Sequence, residues 1–148
     1  MNRRLKALSL FAAAALTAGW WIARSAEGHD RSDLSLRSLR GEYIFALDGF
    51  TTAGPQPRPF AWAGREIYDG AGHVRGVYTA SLDGVITRRA YTGTYTVHPD
   101  GTGATVLTDD HGEVTHFDIF ISEDADEISY VETDAGVVTA GYERRSRR

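Results

Sequence analysis

Two patterns of apolar residues divide the chain. Ala7 to Ala23 (ALSLFAAAALTAGWWIA) forms one unbroken weakly polar to apolar run, whereas from Gly41 onward short runs rich in Val, Ile, Thr, Tyr and Phe alternate with polar positions. Alternation with a period of two marks strands with one buried face. The pattern predicts nine of them: Glu42 to Phe50, Phe60 to Tyr68, His73 to Leu82, Val85 to Thr92, Thr94 to His98, Ala104 to Asp109, Glu113 to Ser122, Glu127 to Thr133 and Val137 to Glu143. Most are joined by turn grammar, at Asp69-Gly70-Ala71-Gly72, Asp83-Gly84, Pro99-Asp100-Gly101, Asp110-His111-Gly112 and Asp134-Ala135-Gly136. Each supplies the positive-φ glycine or the Asx geometry of a tight hairpin. Glu27 to Arg40 is polar and reads as a linker, with a short helical turn at Leu34, Leu36 and Leu39.

Short strands linked by hairpins, with no helical crossover, leave a barrel or a sandwich. Hairpins pair neighbours in order and closure removes both exposed edges, while a sandwich needs longer Greek-key crossings. The expected fold is therefore all-β: an antiparallel up-and-down barrel of eight or nine strands behind an N-terminal signal or anchor helix. Gly64, Gly76 and Gly141 fall inside strands and are expected at bulges or bends. The long segment Thr51 to Arg58, broken by two prolines, is expected across one mouth. The domain plan is residues 1–26 signal peptide or membrane anchor, 27–40 linker, 41–145 barrel and 146–148 basic tail.

Alternation also sorts side chains. Tyr43, Phe45 and Leu47 oppose Glu42, Ile44 and Asp48, which puts the aromatic set inside. Phe117, Ile119 and Ile121 oppose His116, Asp118 and Phe120, and there both faces carry an aromatic. Ile128, Tyr130 and Glu132 share a face. If that face is the inner one, Glu132 is a carboxyl in an apolar cavity, with a raised pKa suited to acid/base work or to holding a polar ligand group; the alternative is a solvated glutamate near the rim.

Composition fits one domain. The chain has 148 residues, 42% hydrophobic and 24% charged, with 16 Gly and no Cys, which excludes collagenous, coiled-coil and wholly disordered chains as well as thiol chemistry. The run Ala7–Ala23 follows Arg3, Arg4 and Lys6, the arrangement of an export signal. Uncleaved, its 17 residues would make a helix of about 26 Å, a slightly short anchor. Export, to a secreted, periplasmic or envelope location, is the expectation, with membrane anchoring through residues 7–23 as the alternative. Of 16 basic residues four lie in residues 1–26, so the remaining 12 face all 20 acidic ones, a net charge of −8. Between Arg89 and Arg144 there is no Lys or Arg. A domain without a basic face is not a nucleic-acid binder. The exception, Arg144 to Arg148, reads as a solvated end.

The chemical motifs are weak. His111, His116 and Asp118 are three metal-ligand types within eight residues, but their spacing matches no closed site and a polar outer face explains them. The acidic turns at 109–113 and 123–127 lack the Ca²⁺-loop pattern. Ser81 has no G-x-S-x-G elbow, and Gly70-Ala71-Gly72 precedes a strand rather than a helix, so neither a serine hydrolase nor a phosphate loop is indicated. No cofactor and no metal is implied.

The segments Gly41-Glu42-Tyr43-Ile44-Phe45, Ile67 to Gly76, Gly93 to Thr105, Phe117-Asp118-Ile119 and Val131 to Gly141 together resemble a large group of small exported bacterial proteins with calycin-type barrels, in the neighbourhood of the allene oxide cyclase barrel and the lipocalins. The resemblance spans residues 41–145 and implies the fold and export, with no catalytic residue carried over. Members often have Cys where Gly101 stands, and the lipocalin G-x-W signature is replaced by Gly41-Glu42-Tyr43. The functional expectation is a barrel holding a small, largely apolar molecule, with Tyr43, Phe45, Tyr78, Tyr95 and Tyr130 as wall residues. The alternatives are a cofactor-independent cyclase or isomerase using Glu132 as its weak catalytic candidate, and an envelope or interaction module with a filled core.

Overall fold

A computed structural model describes residues 33–147; the expected leader and the last tail residue, Arg148, lie outside them. Eight strands form one closed antiparallel barrel in chain order: β1 (Arg40–Thr51), β2 (Arg58–Asp69), β3 (His73–Leu82), β4 (Val85–Val97), β5 (Thr102–Asp109), β6 (Val114–Ile121), β7 (Glu127–Glu132) and β8 (Val137–Arg145). β8 closes the cylinder on β1, from Tyr43 opposite Arg145 to Thr51 opposite Val137. Every other neighbour is a hairpin partner. At Asp83-Gly84 both turn residues have positive φ (51° and 84°), the two-residue turn whose twist suits adjoining strands.

The count is eight because the fourth and fifth expected strands are one. Gly93, which reads as a break between them, lies inside β4 and faces the lumen. It leaves space: a Cβ there would lie 2.7 Å from Leu107 Cδ2 of the adjacent strand. Gly64, Gly76 and Gly141 are likewise not bulges, since the register runs through all three unbroken. A Cβ on Gly64 would meet the Phe45 ring at 2.7 Å, and one on Gly141 would meet Tyr130 at 2.6 Å. These inward glycines let large side chains of the next strand cross the lumen, which fills a narrow barrel without forcing rotamers.

Inner positions carry Tyr43, Phe45 and Leu47 on β1, Phe60 and Tyr68 on β2, Val74 on β3, Tyr91 and Tyr95 on β4, Phe117 and Ile119 on β6, and Ile128 and Tyr130 on β7, all buried. The ambiguity in β6 resolves with Phe120 outside, half-exposed. The two ends of the cylinder differ. At the end bearing the β2–β3, β4–β5 and β6–β7 turns, a 3₁₀ turn (Leu36–Ser38) crosses the opening. There Leu39 is fully buried and Leu34 nearly so. The segment expected as a linker therefore belongs to the barrel from Leu34 onward: its leucines have an apolar opening to fill.

Arg145 fastens this plug. Its guanidinium donates to the carbonyls of Ser38 (2.9 Å), Ala125 (2.9 Å) and Arg40, pairs with Asp126 (3.0 Å), and lies 4.8 Å above the Tyr43 ring. The expectation that Arg144 to Arg148 is a solvated end fails at this residue. Arg145 has the parity of Glu143 on β8 and so points inward, while Arg144 points out.

Candidate functional site

Above the plug the lumen is not filled. A cavity of about 50 Å³ opens toward the other end, where the long Thr52-to-Pro57 loop meets the β7–β8 turn through Thr52 N–H and the Gly136 carbonyl (2.6 Å). One water needs about 10–15 Å³ on the same measure, so the space holds roughly four waters. Partly exposed Trp62, Tyr78, Leu107, Asp109 and Thr115 stand at the open side. Trp62 and Tyr78 stack at 5.1 Å with their planes 18° apart, and Tyr91 continues the aromatic wall 5.9 Å from Tyr78.

Of the five expected wall residues, the structure brings Phe45, Tyr78 and Tyr130 to this cavity. Tyr43 and Tyr95 also point inward but lie too close to the plug. Their hydroxyls are committed to backbone there, Tyr43 to the Ala125 carbonyl (2.5 Å) and Tyr95 to the carbonyls of Leu36 and Leu39 (both 3.0 Å). Burial pushes the Tyr43 hydroxyl well above its ordinary pKa, with the nearby Arg145 working against that shift. Tyr78 is pushed up to about 12, by burial first and then by the Asp109 charge.

Glu132 shares the inner face with Ile128 and Tyr130 but its carboxyl is not part of the cavity wall. It sits toward the open end, half-buried, with Oε2 lacking a partner. Burial, then the charges of Asp134 and Glu113, raise its pKa to about 7. His116 is engaged with Asp134 (2.8 Å), and among the described residues no group of three or more His, Cys, Asp or Glu could hold a metal ion.

The sequence reading missed the most unusual groups. Glu66 on β2 and Glu143 on β8 flank β1 on its lumen side and are 6% and 2% exposed. Tyr91 donates to Glu66 Oε2 (2.5 Å) and Tyr68 to Glu143 Oε1 (2.8 Å). The two carboxyls lie close enough for the charge of one to act on the other. Burial, and then the charge of Glu66, hold Glu143 well above the ordinary carboxylate range. Glu143 Oε2 and the Thr105 hydroxyl, both buried on the cavity wall, have no hydrogen-bond partner. Buried polar atoms are ordinarily satisfied, so these two mark where another polar group fits. Strand parity alone could have found Glu66, which shares a face with Trp62 and Tyr68.

No family model matches the chain, and no curated protein matches it. Among solved structures it is similar to one described as a "De novo design of a fluorescence-activating beta barrel", with a TM-score of 0.54 and 10% sequence identity over 75% of this chain and 96% of that chain. At that identity the likeness shows the barrel fold alone.

Proposed function

We propose that the protein is an exported, calycin-like barrel that holds one small molecule in its lumen. The observation that carries this reading is the asymmetry of the cylinder: one end is plugged and clasped, while the space above it is lined by aromatic rings and by two unpartnered polar atoms, Glu143 Oε2 and Thr105 Oγ1. A barrel that needed only a core would fill that space. Export is supported by the apolar run Ala7–Ala23 behind its basic start. Calycin-like kinship is supported by the eight-stranded closure alone, since Gly41-Glu42-Tyr43 departs from the lipocalin G-x-W signature. The cyclase reading is weaker, because Glu132 lies off the wall of the cavity that would hold a substrate.

An interaction module is the second reading, and a specific observation favours it. Ile44, Phe50, Val138 and Tyr142 are each at least half-exposed on the outer face, around small residues Ala46, Ala61, Ala63 and Ala140 and the single carboxyl of Asp48, a mainly apolar patch of the kind that partners cover. Native mass spectrometry of protein purified from its own host separates the two. A co-purified small mass, lost on Tyr91→Ala substitution, is expected. A ligand-free mass found only within a larger assembly would overturn lumen binding in favour of the interaction module.

A further inference from the structure

The chemistry of the cavity wall narrows what it can hold. Glu66, Asp109, Glu113 and Glu143 contribute four carboxyl groups, and among the described residues no Lys, Arg or His lines the space. Asp109 is served at the open end by Arg89 (3.7 Å) and by the N–H groups of His111 and Glu113. Glu66 and Glu143, deeper in, have only tyrosine hydroxyls as donors among the described residues. The wall around this buried pair offers no cation among the described residues, and any charge the pair carries is costly unless it is paired.

A second observation points the same way. Glu143 Oε2 and Thr105 Oγ1 are acceptors without donors, each belonging to a residue more than nine-tenths buried. Around them stand the rings of Tyr91, Phe117 and Tyr130, whose π faces are the negative part of the ring quadrupole and attract cations.

We infer that the lumen takes a small organic cation, a protonated primary amine on a compact apolar or aromatic body, with its N–H groups shared among Glu143 Oε2, Thr105 Oγ1 and the Glu66 carboxyl. This rests on the reading of the barrel as a small-molecule carrier and specifies its ligand. A neutral alcohol satisfies one orphaned acceptor and leaves the carboxyl pair without a cation. An anion meets four carboxyls and no compensating base. A bare metal ion lacks a ligand set among the described residues. A cavity near 50 Å³ is about a third of the void that takes a benzene ring, so it admits the ammonium head and its first carbon, and the ring lies at the open side beside Trp62 and Tyr78.

The test is isothermal titration of the full chain at neutral pH with benzylammonium, benzyl alcohol and benzoate, which share a ring and differ in charge. Benzylammonium is expected to bind at least about ten-fold more tightly than benzyl alcohol, equal to about 1.4 kcal/mol, with benzoate showing no binding. Glu143→Gln should erase the preference for amine over alcohol, and Thr105→Val should reduce the preference in a protein whose carboxyl pair is untouched. Equal binding of alcohol and amine would overturn the cation assignment and leave the carrier reading standing. Failure of all three compounds to bind the folded wild-type protein would overturn both.

Discussion

Replacing Arg145 with alanine tests the clasp at the plugged end. The substitution strips charged donors from the Ser38, Arg40 and Ala125 carbonyls and from Asp126, and removes a cation from above the Tyr43 ring. Hydrogen bonds from a charged group are worth about 1.5–3 kcal/mol each, and a partly desolvated cation–π contact about 1. Three carbonyl bonds at the lower figure plus the ring contact sum to roughly 5.5 kcal/mol. Ala125 O keeps its bond from Tyr43, and water can enter at the quarter of the guanidinium side chain that is exposed, so the expected loss is about 3–4 kcal/mol. With a urea m-value near 1.5 kcal/mol/M, the unfolding midpoint should fall by about 2 M. Amide exchange at Leu39, whose N–H bonds the Leu36 carbonyl, should accelerate with it. Arg144→Ala is the neighbouring control: its ion pair with Glu127 (3.4 Å) is exposed on both sides and should cost no more than about 0.5 kcal/mol. A loss below about 1 kcal/mol in Arg145→Ala, with exchange at Leu39 unchanged, would refute the view that this arginine holds the plug.

Two further outcomes follow from the lumen. A Cβ on Gly76 would overlap the end of the Tyr91 ring and lie 2.7 Å from the Arg65 carbonyl, so Gly76→Ala should displace Tyr91 from Glu66 and destabilise the protein by about 1–3 kcal/mol, as overpacking does; chemical denaturation measures this, and a neutral result would mean the ring has other room. Glu132 and Glu143 have folded-state pKa values raised above the unfolded value of 4.5, so the folded state binds more protons and their contribution, full below about pH 4.5, is lost as pH rises through the folded values, near 7 for Glu132. Asp69, Asp100 and Asp124 are lowered from 3.8, each chiefly by hydrogen bonds from nearby N–H or O–H groups, and their contribution is lost as pH falls below that value. Urea midpoints should therefore peak near pH 5 and decline toward about pH 8, with Glu143→Gln flattening the decline; midpoints that rise between about pH 5 and 7 would contradict this.

The strands and turns were legible because period-two alternation and Gly-Asp turns are local signals, and closure followed from having hairpins alone. Gly93 misled because an inward glycine that makes room for Leu107 looks, in one dimension, like a strand break. The candidate site was harder to read. A glutamate in a strand is assigned to solvent by ordinary cost, so Glu66 and Glu143 pass as surface residues unless the parity of Trp62 and Tyr68, or of Thr139, is weighed against their charge. Tyr43 and Tyr95 were placed on the right face of their strands, but alternation carries no height along the cylinder, and height decides whether a tyrosine meets a cavity or a plug. Arg145 was hidden within a run of like charges whose composition, taken alone, describes a tail.

The seam between the first and last strands governs how the molecule can come into being. Tyr43 meets Arg145, and Thr51 meets Val137, so β1 must wait for nearly the whole domain before its second edge is covered. Such distant pairing is slow to form. Any emerging polypeptide that still lacks residues 137–145 keeps two open sheet margins and an unfastened stopper. A truncation of even the last strand should therefore yield an aggregating ribbon rather than a smaller cylinder.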